Sequence, residues 1–312
     1  MKERLRDESH NDEVQRDESR IEELFKDAMQ NDELLRVDNI SYHYDNDYIA
    51  LKNVTATFRT GEIVAVLGSN GAGKSTFFLC CNGVLRPQSG KIFYKGEEIS
   101  KSKKDIYRLR QSVGLVFQDP DSQIIAGNVE SEVSFGPMNL RLPNDEVSRR
   151  VDEALAQMDI SRYKDYAPQY LSGGEKKRVS IADILAMRPE MILLDEPTAS
   201  LDPQNADALE IIIRDLNSEG ITIIISTHDV NFAYRVAQRA IVFAQGEIIA
   251  DADVDEVFEQ GEILEKAGLK KPLLYEAFEY IKDHIPDKQT QVNKNPRTIE
   301  EFHDLCSSIT QF

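Results

Sequence analysis

The sequence contains two short segments whose residue types could act on phosphate groups. Residues 68–76 read GSNGAGKST, which matches the pattern G-x-x-x-x-G-K-[ST], and residues 171–175 read LSGGE. In the first segment, glycines let the backbone wrap so that its N–H groups converge on an anion. We expect Lys74 to reach the β- and γ-phosphates of ATP and Ser75 to ligate Mg²⁺. The predicted nucleotide contacts of this phosphate loop (residues 68–76) are Gly68, Ser69, Asn70, Gly71, Ala72, Gly73, Lys74, Ser75 and Thr76.

Two carboxylates follow an apolar run. Asp195 and Glu196 come directly after Met-Ile-Leu-Leu at residues 191–194. At the tip of a buried strand, Asp195 would hold Mg²⁺ through water, and Glu196 would orient or deprotonate the attacking water as a general base. Such a pair also occurs as a helix cap or a solvated turn. Here it accompanies a phosphate loop and precedes Pro-Thr-Ala-Ser-Leu-Asp at residues 197–202, which favours the catalytic interpretation.

The LSGGE segment precedes a predicted helix, so Ser172 has the position of an N-cap. Capping alone does not require Gly173 and Gly174, whereas close approach of the backbone to a ligand does. The phosphate loop already provides one anion site. We expect this second helix N-terminus, about a hundred residues after Lys74, to serve the γ-phosphate of another nucleotide.

Single side chains at strand ends are weaker candidates. Gln118 ends the predicted strand 113–117, where its amide could contact Mg²⁺ or the attacking water; a lone Gln is usually a surface residue. His228 follows the predicted strand 221–227, in the row of the sheet that faces the phosphates, although a histidine there is often a local hydrogen-bonding group.

Three tyrosines precede the sheet core, and one of them could stack on adenine while the others are ordinary hairpin aromatics: Tyr42, Tyr44 and Tyr48.

Strands alternate with helices through the middle of the chain, which predicts a largely parallel α/β sheet. The predicted strands are 35–37, 40–44, 61–67, 91–94, 113–117, 191–194, 221–226, 241–243 and 247–249. The predicted helices are 73–83, 145–158, 176–187 and 205–217, with a final one at 299–306.

Composition excludes several classes of function. The net charge of −18 disfavours sequence-independent binding to nucleic acid and adhesion to anionic lipid. No apolar run approaches the roughly 20 residues of a membrane span, and no apolar segment follows the first residues as in a secretory signal. We therefore expect a cytosolic protein whose membrane partners supply any spans. The 3 cysteines cannot form a disulfide framework or a four-thiolate metal site.

Together these residues resemble the nucleotide-binding subunit of an ATP-binding-cassette (ABC) transporter over residues 34–252. The resemblance implies an α/β fold: a P-loop, RecA-like core with an antiparallel β subdomain, an α-helical signature subdomain and a C-terminal helical extension. It also implies that two subunits pair head to tail, each ATP lying between one phosphate loop and the partner's LSGGE segment. The resemblance implies that Tyr44 is the adenine-stacking aromatic, residues 68–75 are Walker A and Gln118 is the Q-loop glutamine. It implies that residues 171–175 are the signature, Asp195 is the Walker B aspartate and Glu196 is the catalytic base. Residues 199–202 would be the D-loop, with Asp202 among the nucleotide contacts, and His228 would be the switch histidine.

A finer resemblance points to the energy-coupling-factor branch, and within it to the cobalt/nickel importer ATPases. It is carried by residues 77–83, 116–123, 135–137 and 173–179. It implies that residues 121–140 face a membrane scaffold component, that a separate membrane component recognises the substrate, and that the subunit works at the cytoplasmic face of the membrane. Cargo stays open between metal ions and a vitamin, and the second subunit between another copy and a paralogue.

The chain divides into a charged extension at residues 1–33, which we expect to be disordered, a nucleotide-binding domain at 34–253, and a mainly helical extension at 254–312. Ser69 and Glu175 depart from the family pattern, in which proline and glutamine are common there. A carboxylate at position 175 could retune turnover or point away from the nucleotide.

Two other functions compete with transport. Cassette proteins of DNA repair and chromosome organisation carry long heptad repeats between the two motifs, and this interval has none. Translation-associated cassette ATPases carry two motif sets in one chain, and this chain has one.

Overall fold

The computed structural model describes residues 32–45, 48–199, 201–284 and 295–310. The predicted extension at 1–33 lies outside these ranges except for its last two residues. The strands are β1 (Glu33–His43), β2 (Ile49–Arg59), β3 (Ile63–Leu67), β4 (Ser89–Tyr94), β5 (Glu97–Glu98), β6 (Val113–Val116), β7 (Met191–Asp195), β8 (Thr222–Thr227), β9 (Arg239–Ala244) and β10 (Glu247–Asp253). The helices are α1 (Lys74–Cys81), α2 (Lys103–Ser112), α3 (Val129–Asn139), α4 (Asn144–Gln157), α5 (Gly173–Leu185), α6 (Pro203–Ser218), α7 (Val230–Val236), α8 (Val254–Glu259), α9 (Gly261–Ala267), α10 (Leu273–His284) and α11 (Ile299–Thr310).

A six-stranded sheet in the order β10-β9-β3-β8-β7-β6 forms the centre of the molecule. Its last five strands are parallel, and β10 pairs antiparallel with β9 across a tight turn at Gln245 and Gly246. Both turn residues have positive φ, 51° and 84°, as a two-residue hairpin turn requires. The prediction of a largely parallel α/β sheet is confirmed.

The central sheet separates two hydrophobic cores because side chains alternate along each strand. In β3, Ile63, Ala65 and Leu67 face one core, while Val64 and Val66 face the other. Strands buried on both faces appear in the sequence as continuous apolar runs, which is why β7 and β8 could be identified without a structure.

A second sheet, in the order β2-β1-β4-β5, is antiparallel and packs on α1. The two strands predicted at 35–37 and 40–44 are one strand, β1, interrupted by register shifts. Strand β2 was absent from the prediction. Val54, Ala56 and Phe58 alternate with polar residues, but Leu51 lies three positions before Val54 and Asn53 has φ 49°, so the period of two is interrupted within the strand.

Three helices, α3, α4 and α5, pack against one another as a helical subdomain. The prediction of a helix at 145–158 agrees with α4 to within one residue at each end. Helix α5 begins at Gly173 rather than at Lys176, because Ser172 caps it and both glycines adopt helical geometry. Beyond Asp253, the described residues form α8 to α11. None of the helices in the described ranges combines the length and apolar character that a membrane crossing needs.

Candidate active site

The carboxyl ends of the parallel strands bring most of the predicted catalytic residues to one edge of the central sheet. The phosphate loop follows β3, Asp195 and Glu196 end β7, and His228 follows β8. Gln118 follows β6 at the end of the sheet, three strands from β3. Open α/β sheets commonly bind ligands at this edge, so the location is compatible with the predicted site.

Two glycines of the phosphate loop are required by close contacts. Gly68 has φ 149° and Gly73 has φ 110°, and a Cβ added at either position would lie 2.5 Å from a backbone oxygen, that of Phe243 or of Ala50. The loop is thus packed directly on β2 and β9. Its other flank is held by Ala72, whose carbonyl accepts a hydrogen bond of 3.0 Å from the Gly246 N–H.

The start of α1 is prepared for an anion. Gly73, at the N-cap, offers no side chain to the first helical N–H groups, so they and the helix dipole can serve a phosphate. Lys74 is 6% exposed, and its ammonium donates to the carbonyls of Gly68 at 2.6 Å and Ser69 at 3.3 Å. A buried cation that rests on its own loop fits a site for phosphate.

Glu196 lies at the centre of a buried charged group. It is 5% exposed, and its Oε2 lies 2.9 Å from Nδ1 of His228. Its Oε1 lies 3.4 Å from the ammonium of Lys74, a charge contact without hydrogen-bond geometry, and has no hydrogen-bond partner. An unsatisfied buried carboxylate oxygen costs free energy, so this oxygen is suited to a hydrogen-bond donor from outside the chain, as a general base requires.

The residues predicted to hold Mg²⁺ offer oxygen donors. Asp195 is buried and accepts a hydrogen bond from the Ser226 hydroxyl through Oδ1, while Ser75 is exposed at the start of α1. No group of three or more His, Cys, Asp or Glu side chains in the described residues has the arrangement of a metal site. A hydroxyl and one carboxylate, completed by phosphate oxygens, suit Mg²⁺ that arrives with its nucleotide.

The Gln118 side chain is exposed, but its backbone is held firmly. Lys177, 2% exposed on α5, donates to the carbonyls of Phe117 at 2.9 Å and Gln118 at 2.6 Å. Gln123 accepts from the Phe117 N–H at 3.1 Å and donates to the carbonyl of Ser180 at 3.1 Å. Sequence reasoning missed Lys177 and Gln123. The one available signal was a lysine placed on the apolar side of a predicted helix.

Burial lowers the pKa of Lys177 to about 8, partly offset by the negative charges of Asp195 and Asp119. The desolvation cost of burying the Lys177 ammonium must be offset by its hydrogen bonds to the two carbonyls. Because those carbonyls belong to the segment after β6, α5 and the Q-loop are joined rigidly.

Two tyrosines lie against the phosphate loop. The Tyr44 hydroxyl is 3.1 Å from Oγ1 of Thr76, and the Tyr48 hydroxyl donates to the carbonyl of Gly71 at 3.0 Å. Their rings are near-parallel with centroids 6.5 Å apart. Tyr44 is partly exposed, so an aromatic face is available beside the loop, as the adenine-stacking prediction requires.

The signature segment (residues 171–175) forms a capping box at the start of α5. The Ser172 side chain accepts from the Glu175 N–H, and Glu175 in turn accepts from the Ser172 N–H at 2.8 Å. A Cβ at Gly173 would meet nothing within 4 Å, but a Cβ at Gly174 would lie 2.7 Å from the side chain of Asn205. The open space at Gly173 leaves room for a ligand, and at Gly174 a side chain would displace Asn205; the predicted contact of both glycines with nucleotide stays a prediction.

Asp202 caps α6 and holds the Asn205 side chain that contacts Gly174. Its carboxylate accepts from the N–H of Asn205 at 2.9 Å and from its side-chain amide at 2.7 Å. These hydrogen bonds lower the pKa of Asp202. The residue therefore positions the side chain on which Gly174 packs; its predicted contact with nucleotide stays a prediction.

The signature segment lies apart from the cavity beside the phosphate loop. The cavity beside the phosphate loop, about 530 Å³, is lined by Ser69, Asn70, His228 and part of the segment 268–273. None of its lining residues, within the described chain, comes from the signature segment. Ser172 and Gly173 are exposed on the helical subdomain. The C-terminal region, in contrast, reaches the loop, since the Ser69 N–H donates to the carbonyl of Ala267 at 3.2 Å.

Comparison with known proteins agrees with the motifs. Residues 51–199 match the family model described as ABC transporter. The chain is 46% identical over 239 residues to the energy-coupling factor transporter ATP-binding protein EcfA of Methanothermobacter thermautotrophicus, covering 77% of each chain. It is 41% identical to EcfA3 of Clostridium perfringens, over 81% of this chain and 89% of that one.

Solved structures agree as well. The fold superposes with a TM-score of 0.69 on cbiO1 of Clostridium perfringens, part of the ABC transporter complex cbiONQ, at 41% identity over 80% of this chain and 99% of that one. A dimeric ATP-binding cassette in a post-hydrolysis state bound to ADP and Pi superposes with a TM-score of 0.64, at 28% identity over 71% of this chain and 99% of that one. The chain therefore belongs to the ATP-binding proteins of ABC transporters, in the energy-coupling-factor branch, and it is an ATPase whose hydrolysis of ATP is coupled to transport.

Proposed function

We propose that two such subunits, either two copies or this chain and a paralogue, sandwich two ATP molecules and power an energy-coupling-factor importer. The observation that carries the proposal is the separation of the two half-sites. The phosphate loop and Glu196 lie at the sheet edge, while Ser172 and Gly173 are exposed on another subdomain. Gly173 is exposed at a helix N-terminus, where its own N–H and the helix dipole suit a phosphate from outside the chain.

In this proposal, Lys74 and the N–H groups at the start of α1 bind the β- and γ-phosphates, and Tyr44 stacks on the adenine. Mg²⁺, held by Ser75, Gln118 and through water by Asp195, would neutralise charge that develops on the phosphates. Glu196 accepts a proton from the water in line with the γ-phosphate, and His228, 2.9 Å away, orients that carboxylate.

We propose further that residues 121–140 dock onto a membrane scaffold component at the cytoplasmic face of the membrane. Large apolar side chains in this segment are exposed to solvent: Ile125 (75%), Phe135 (55%) and Met138 (61%). Exposed apolar groups of this size mark interaction surfaces. A separate membrane component recognises the substrate, and we infer cobalt or nickel ions as the cargo. The sequence resemblance and the likeness to cbiO1 of the cbiONQ complex support this inference; a vitamin is the alternative.

Co-purification from detergent-solubilised membranes tests the proposal. Tagged wild-type protein is expected to bring down an integral membrane chain, and Phe135→Asp to lose it while the free subunit still hydrolyses ATP. Ile211→Asp, at another exposed apolar position (61%) on α6, is the matched control and should retain the partner. Recovery of wild-type protein without any membrane chain would contradict the transport role. Uptake of labelled cobalt, nickel or vitamin by cells that express the complex identifies the cargo.

A further inference from the structure

Glu175 engages the hydroxyl of Ser172. Its Oε2 accepts from both the N–H of Ser172, at 2.8 Å, and the Ser172 hydroxyl, at 2.9 Å. A hydroxyl has one proton, and here that proton points to a carboxylate of the same chain. A γ-phosphate can accept a hydrogen bond from the Ser172 hydroxyl but cannot donate one. The hydroxyl proton must therefore turn away from Glu175 before Ser172 can donate it to the phosphate.

A neighbouring tyrosine keeps the Glu175 carboxylate in place. Its other oxygen, Oε1, accepts a hydrogen bond from the Tyr163 hydroxyl. Arg162 lies 4.7 Å above the Tyr163 ring, and the Tyr163 ring packs edge-on against Tyr166 with centroids 5.4 Å apart. The hydrogen bond from Tyr163 is the main reason why the pKa of Glu175 is lowered, so the group stays ionised at neutral pH.

Glutamine at this position would behave differently because it carries no charge. Its single amide oxygen can take the place of Oε2 and accept from both the N–H and the hydroxyl of Ser172, which preserves the cap. As a neutral acceptor, however, it holds the hydroxyl less strongly than a carboxylate does, and it does not repel a phosphate.

We propose that Glu175 is a positioning residue that holds the Ser172 hydroxyl away from the partner's γ-phosphate and thereby opposes ATP-driven pairing of the subunits. This inference rests on the composite site of the proposed function. Glu175 acts through Ser172 and through its charge, and it makes no contact with the reacting atoms.

ATP-dependent dimerisation in a Glu196→Gln background, followed by sedimentation, is the test. Adding Glu175→Gln is expected to lower the dimer dissociation constant about tenfold, because a neutral amide holds the Ser172 hydroxyl less strongly than a carboxylate and does not repel the partner's phosphate. It should also lower the ATP concentration at half-maximal pairing. Tyr163→Phe leaves the charge and the Ser172 contact in place, so it should not tighten the dimer. A variant that is merely damaged in structure would dimerise more weakly, whereas the proposal requires Glu175→Gln to dimerise more tightly.

Glu301→Gln is the matched control. Glu301 accepts from the N–H of Arg297 at 2.7 Å and pairs with Thr298 in a similar cap at the start of α11, and its loss of charge should leave pairing unchanged. The role of Glu175 is overturned if the parent dimerises and Glu175→Gln does not lower its dimer dissociation constant. It is also overturned if Glu301→Gln lowers that constant equally. A parent that fails to dimerise with ATP overturns the composite site, and this inference with it.

Discussion

At the scale of single residues, Glu196 combines a buried carboxylate with a strained backbone. The residue has φ 42°, in the left-handed region that non-glycine residues rarely occupy. Its N–H donates to the carbonyl of Ser226 at 3.0 Å, which holds the backbone of β7 against β8 at that point. Backbone strain of this kind persists only where surrounding contacts enforce it, and it is common at functional sites.

Replacing this carboxylate with an amide tests its role as the base. Glu196→Gln should bind ATP normally and form a trapped dimer, but lose at least about a hundredfold in turnover, because an amide cannot take up the proton. Steady-state ATP hydrolysis and nucleotide binding measure the two effects. Glu190→Gln is the control. Glu190 lies just before the opposite end of β7, where it contacts Tyr94 and Lys95. Undiminished turnover in Glu196→Gln would remove the general-base assignment.

At the scale of elements, α5 connects the signature segment to the Q-loop. Its N-terminus carries Ser172, its next turn carries Lys177, and its last turns pack on α3. Asp183 lies on α5 near Glu132, which accepts from the N–H groups of Ile125 and Ala126 at 2.9 and 2.6 Å. Burial, followed by the negative charge of Glu132, raises the pKa of Asp183 to about 7.

This raised pKa predicts a pH-dependent stability. Between about pH 4 and pH 7 the folded state binds a proton that the unfolded state has lost, so stability falls as pH rises through this window. Asp183→Asn lacks that proton exchange and should be more stable than wild type above pH 7, by about 2 kcal/mol because the side chain is only partly shielded from water. The gap should close towards pH 4. Urea unfolding at pH 5 and pH 8 measures it, with exposed Asp215→Asn as the control; equal gaps at both pH values would contradict the prediction.

At the scale of the whole molecule, the chain separates its two nucleotide-facing surfaces. The phosphate loop packs on β2 and β9, and the signature segment begins α5 of the helical subdomain. Lys177 and Gln123 hydrogen-bond α5 to the segment after β6, so the helical subdomain is tied to the β6 edge of the central sheet.

The composite site predicts a substitution that separates binding from hydrolysis. Ser172→Arg should abolish most ATP hydrolysis and leave the nucleotide affinity of the monomer nearly unchanged, because in the proposed composite site the residue acts on the partner's ATP. Loss of the cap costs about 1 kcal/mol of stability, which the fold can tolerate. Ser161→Arg, an exposed position on the same subdomain, is the control. If monomer affinity and hydrolysis fall together in Ser172→Arg, the composite site is wrong.

Residues that are neighbours in the chain could be assigned before the fold was known. The phosphate loop and the Asp195–Glu196 pair are short motifs bounded by apolar strands, and local backbone geometry alone presents their groups. The strand ends of a parallel sheet then had to meet, which placed His228 nearby. Contacts between distant segments depended on tertiary packing: Asn205 against Gly174, Lys177 beneath the Q-loop, Ala267 on Ser69, and Tyr163 on Glu175. No local pattern encodes such contacts, because the side chains involved meet only when separate elements are packed together.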